Sequence, residues 1–113
     1  MAYFFWFTGL SGVGKTTIAN STKVLIEKDG FKVLILDGDE IRERTNTNLS
    51  FSPSDIKKNN ELISLICLKR AADFDVILIP IISPYKSSRC KARKLLGKNF
   101  SLIYIHSSIS TLE

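Results

Sequence analysis

Residues Gly9 to Thr16 read G-L-S-G-V-G-K-T, the spacing G-x-x-x-x-G-K-T that lets a main chain wrap around phosphate oxygens. Gly9, Gly12 and Gly14 permit tight turning, so that the N–H groups of Leu10, Ser11, Val13 and their neighbours point inward. Lys15 supplies a mobile point charge for the β- and γ-phosphates, and the Thr16 hydroxyl can ligate Mg²⁺, with Thr17 next to it. A second group of chemical residues follows in D-G-D-E-I-R, where Asp37 and Asp39 precede Arg42. A carboxylate there can orient Mg²⁺ or take a proton from an attacking hydroxyl, and an arginine can hold an anion with two parallel hydrogen bonds. Taken alone, that segment is equally a loop chosen for its turn chemistry.

The motif has meaning only between a strand and a helix. Tyr3–Phe7 is an apolar run that predicts a buried strand, and the residues from Thr17 to Lys28 predict a helix that ends at Asp29-Gly30. Residues 32–37 predict a second strand, whose tip is expected beside the first, and residues 37–52 a short helical turn and loop. Ser52 caps a helix to about Ala72, with Pro53 at its first position and Asp55 three residues after the cap. Residues 76–82 predict a third strand, Lys86 to Leu96 a basic helix closed by Gly97, and residues 101–106 a fourth strand. Four apolar strands joined by helical crossovers imply an α/β fold, a parallel sheet between helical layers, in a single domain.

Composition sets outer limits. The 113 residues are 44% hydrophobic and 24% charged, which describes one folded domain and excludes a disordered chain. The longest apolar run is too short to span a bilayer and no signal peptide is visible, so a cytoplasmic location is expected. Cys67 and Cys90 lack metal-type spacing and a secretory context; Cys67 reads as core filler and Cys90 as a helix residue. His106 has no partner ligands in the sequence. The net charge of +5 suits nucleic acid or a polyphosphorylated small molecule, and composition alone does not separate them. The basic residues form no block of five. With the phosphate cradle in view, a small-molecule nucleotide is the expected partner, with no membrane or nucleic acid.

Four segments in order resemble the adenylylsulfate kinases, a family of P-loop kinases. They are F-W-F-T-G-L-S-G-V-G-K-T-T-I-A-N from Phe5, L-D-G-D-E-I-R from Leu36, N-L-S-F-S-P-S-D-I-K-K-N-N from Asn48, and I-S-P-Y-K-S-S-R-C-K-A-R from Ile82. The resemblance implies a P-loop three-layer α/β/α fold, ATP and Mg²⁺ as cofactors, and phosphorylation of the 3′-hydroxyl of adenosine 5′-phosphosulfate, a step of sulfate assimilation. By the same resemblance Gly9 to Thr17 hold ATP, Asp39 meets the 3′-hydroxyl, and Asp37 with Thr16 lies near Mg²⁺. Arg42, Phe51, Asn59, Ile82 and Ser83 contact the acceptor, and Ser83 stands at a serine sometimes phosphorylated in the family.

The residues themselves leave other readings open. Phe51 can plug a core edge or stack on a base, Asn59 reads as an exposed helix residue, and Arg89 and Arg93 share one helical face. Ile56 stands where the family carries an arginine, and losing a charge-assisted contact costs about 1.5–3 kcal/mol. Lys57 or Lys58 can restore the charge but not the fork geometry. Lys86 likewise replaces an arginine. The family continues past Glu113 into a basic lid and a further strand, so the chain is expected to be a shortened member or part of a longer product, with an exposed fourth-strand edge that invites homodimers. A same-fold kinase with another acceptor and a non-catalytic nucleotide-binding module are the alternatives.

Overall fold

The computed structural model describes residues 2–9, 14–38, 40–41 and 52–105. Seven main elements follow in the order β1 (Tyr3–Thr8), α1 (Lys15–Glu27), β2 (Val33–Ile35), α2 (Pro53–Arg70), β3 (Val76–Pro80), α3 (Lys86–Leu96) and β4 (Phe100–Tyr104). All strand pairs are parallel and the sheet order is β2-β3-β1-β4. The expected α/β architecture is therefore present.

One placement differs from expectation. β2 pairs with β3 and not with β1, so β3 separates the tip of the second strand from the phosphate-loop strand. Val76 and Leu78 pair with both Tyr3 and Phe5 on one side and Val33 and Ile35 on the other, as befits a strand buried on both faces.

Alternation along β1 divides the interior. Phe4 and Trp6 join Ile63, Cys67, Ile77, Ile79, Ile81, Ala92 and Phe100 beneath α2 and α3. Phe7 joins Ala19, Val76, Leu78 and Ile105 on the α1 face, with Phe5 packed against them. β4 departs from the expected buried strand: Ser101, Leu102 and Tyr104 are exposed, because β1 covers only one of its edges among the described residues. Apolar residues of α1 depart too. Val24 and Leu25 are 56% and 63% exposed, so the helix contacts the sheet chiefly through Ala19 and Ile26.

Helix ends match the sequence chemistry. The Ser52 hydroxyl accepts from the Asp55 N–H at 3.2 Å, with Pro53 opening α2. α1 begins two residues earlier than expected, at Lys15, because Gly14 takes a left-handed φ of 87° that turns the chain directly into the helix.

Candidate active site

The first turn of α1 carries the clearest chemistry. Lys15 is only 6% exposed, and its ammonium donates to the Gly9 carbonyl at 3.1 Å. The side chain thus reaches back to the residue that follows β1, with its charge held at the helix's positive end. Thr16 donates its hydroxyl to Oδ2 of Asp37 at 3.1 Å, while Oδ1 of Asp37 accepts from the Glu40 N–H. Although β2 is one strand removed from β1, its extension reaches the helix that follows the phosphate loop. A hydroxyl and a carboxylate oxygen side by side are hard donors suited to Mg²⁺. Leu10, Ser11, Gly12 and Val13 lie outside the described residues, as do Asp39, Arg42 and Phe51; Gly9 closes β1 and Thr17 is exposed on α1.

Gly38 explains how the acidic turn is held. A Cβ built there would meet Ile81 Cδ1 at 2.5 Å, so the turn lies flush against the residue that follows β3. The Gly38 carbonyl accepts from Asn59 Nδ2 at 3.1 Å. Asn59 is 3% exposed, which corrects its reading as an exposed helix residue: the α2 face toward the sheet includes it. Its Oδ1 is buried without a hydrogen-bond partner among the described residues, an acceptor that a ligand N–H or O–H can satisfy.

A second buried network surrounds Ser83. Its hydroxyl donates to Asn60 Oδ1 at 2.6 Å, and Asn60 Nδ2 donates to the carbonyls of Ile56 and Ile82. The Ser83 carbonyl accepts from Thr8 Oγ1 at 3.1 Å and from Arg89 at 2.7 Å. The strand that leads into the phosphate loop is therefore tied to the segment after β3. Thr8 and Asn60 escaped notice in the sequence as supports of this site, where polar residues flanking apolar strands were the available signal; Arg89, named there on the face it shares with Arg93, turns to the Ser83 carbonyl. Arg93 is exposed, with its guanidinium 5.0 Å from the Phe100 ring centre. Ile56 is buried, and Lys57 places its ammonium 5.4 Å from the Tyr85 ring centre. Cys67 and Cys90 are both free thiols; burial pushes that of Cys67 up to about 12. His106 falls outside the described residues.

A parallel sheet in this order, with a lysine and a threonine opening the helix after β1 and an aspartate after β2, defines a P-loop kinase fold. The family model for adenylylsulphate kinase matches residues 1–113, and the chain belongs to that family. An adenylyl-sulfate kinase of Clostridium kluyveri is 40% identical over 109 residues, covering 96% of this chain and 54% of the relative. The chain spans about half the length of the curated relatives it matches. Among solved structures, a Mycobacterium tuberculosis APS kinase in complex with AMPPNP and APS is 31% identical with a TM-score of 0.85, over 93% of this chain and 62% of that one. A hexameric APS kinase from Thiobacillus denitrificans is 26% identical with a TM-score of 0.80, over 96% of this chain and 22% of that one. No described helix is long and apolar enough to cross a membrane.

Proposed function

We propose that this chain carries the catalytic half-sites for transferring the γ-phosphoryl group of ATP to the 3′-hydroxyl of adenosine 5′-phosphosulfate. The products are ADP and 3′-phosphoadenosine 5′-phosphosulfate. The O–H bond of the acceptor and the β,γ-bridging P–O bond break, the new 3′-O–P bond forms, and the acceptor proton leaves to a base. The observation that supports this reading is the Thr16–Asp37 contact beside Lys15, which brings a hydroxyl, a carboxylate and an ammonium group to the start of α1.

Lys15 neutralises charge on the β- and γ-phosphates, and the loop's main-chain N–H groups hold the rest. Thr16 and Asp37 would hold Mg²⁺, which would supply positive charge to offset the charge that develops on the transferred phosphoryl group. Asp39 accepts or orients the acceptor proton, and Arg42 grips the phosphosulfate. Phe51 stacks on the adenine, while Asn59 offers its unpartnered Oδ1 and Ile82 lines the wall. The Ser83 hydroxyl already donates to Asn60 and the residue is 1% exposed, so its part is to hold that wall and not to carry phosphate. A cytoplasmic location accompanies a reaction that consumes ATP. Self-association belongs to the same reading: β4 ends the described sheet and exposes Leu102 and Tyr104.

One observation favours a second reading, a kinase of this fold with a different acceptor. Ile56 buries an apolar side chain on α2 where the family arginine grips the anionic substrate. A coupled ADP-release screen separates the two. Turnover with adenosine 5′-phosphosulfate supports the first, turnover only with another hydroxylated acceptor supports the second, and ATP binding without turnover on any acceptor leaves a binding module.

A further inference from the structure

A second polar cleft adjoins the Asn60–Ser83 network from the side of α2 and α3. It occupies about 380 Å³ between α2 and α3, a size that fits a small ligand. Lys57 and Lys58 line it from α2 and Lys91 from α3, with Glu61 as the opposing carboxylate. Three ammonium groups against one carboxylate leave an excess of positive charge. Among the described residues neither Lys58 nor Lys91 makes an ion pair. The first turns of both helices also face this space, through Ser54 on α2 and Ser87 and Ser88 on α3. Tyr85, which caps α3, makes no side-chain capping bond, so the positive end of that helix is not offset there.

Ser88 is the independent observation. It is 5% exposed on the cleft wall, and its hydroxyl has no hydrogen-bond partner among the described residues. A buried hydroxyl with no hydrogen bond made is unfavourable, and an oxyanion in the cleft would accept from it. The neighbouring wall polar groups are satisfied within the fold: Ser64 donates to the Asn60 carbonyl, and Asn60 bonds to Ile56, Ile82 and Ser83.

The geometry points to a second anion site in this cleft, which takes the phosphate group of a small phosphorylated molecule between Lys58, Lys91 and the Ser88 hydroxyl. Lys57 stays partly engaged over Tyr85 and contributes field more than contact. Lys91 and Ser88 have no part in the proposed reaction, and Lys57 and Lys58 enter it only as stand-ins for the family arginine; a phosphate titration needs neither ATP nor acceptor and so tests this inference separately.

The test is a titration of the chain with inorganic phosphate at constant ionic strength, with chloride as the balancing anion. Amide chemical shifts report each site separately. The expected result is saturable movement at Ser54, Ser87, Ser88 and Lys91 with a millimolar midpoint. The Lys58→Ala/Lys91→Ala double variant should weaken that response at least tenfold while leaving the response of Gly14 and Lys15 unchanged. A single Ser88→Ala variant, which keeps both lysines, should weaken it by a smaller factor. Shifts confined to Gly14 and Lys15, or cleft shifts that never saturate or persist unchanged in the double variant, overturn the proposal.

Discussion

The half of the site proposed to grip triphosphate and the half proposed to face the acceptor are built in different ways. The first is local: among the described residues, the end of β1 and the opening turn of α1 supply its groups, with Asp37 joining at 3.1 Å. The second is assembled across the chain. Ser83 binds Asn60 from 23 positions away and Thr8 from 75 positions away, and Asn59 reaches Gly38 across 21. A local cradle survives changes elsewhere in the fold, whereas an assembled wall depends on every element that frames it.

Substitutions at the two halves should therefore separate in their kinetics. Lys15→Ala should lower kcat by about 10²–10³-fold, since it removes a charge aimed at the transferred group. Steady-state assays of that variant with its far-ultraviolet spectrum unchanged would check the local character of the loss; a collapse of the fold would break the comparison. Asp37→Asn should reduce turnover by about 10²-fold and raise the Mg²⁺ concentration needed for half activity, read from a metal titration at fixed ATP.

On the assembled side, Asn60→Leu removes the acceptor of the Ser83 hydroxyl and two donated bonds. It should cost about 1–3 kcal/mol, appearing mainly as a raised KM for the acceptor with the KM for ATP little changed. Equal rises in both constants would show that the two halves are not separable. Gly38→Ala drives a methyl group into Ile81 and should destabilise the fold by about 1–3 kcal/mol in urea unfolding.

The smallest effect concerns the thiols. Burial holds the Cys67 thiol protonated up to about 12, above the ordinary value of 9.0. An unfolded chain would ionise it from about pH 9 upward, so this group's contribution to stability is present below that pH and is lost as pH rises toward 12. An alkylating reagent at neutral pH should modify exposed Cys90 alone, with Cys67 reacting only on unfolding.

The same contrast decides what the sequence reveals. The junction of β1 with α1 was legible because the motif's flanking glycines, lysine and threonine act through adjacent main-chain geometry. The existence of the strands and that of the Ser52 cap were legible for the same reason, since continuous apolar runs and capping chemistry are local. The position of β2 was not, because strand order depends on which crossover packs where, and the chain between β2 and β3 is long enough to insert β3 beside β1. Asn59 illustrates the limit at residue scale: polar side chains on α2 give no sign of which face meets the sheet until Gly38 and Ile82 arrive from other elements. Val24 and Leu25 show the converse, apolar residues left at the surface of α1.

The most direct test of the account follows the phosphoryl group itself. The chain is incubated with Mg²⁺, adenosine 5′-phosphosulfate and ATP labelled in its γ-phosphate, and the labelled nucleotides are separated and mapped. The account requires label on the 3′-oxygen of the phosphosulfate nucleotide, dependent on Lys15. Label that goes only to a different acceptor, or formation of that product undiminished by Lys15→Ala, would contradict it.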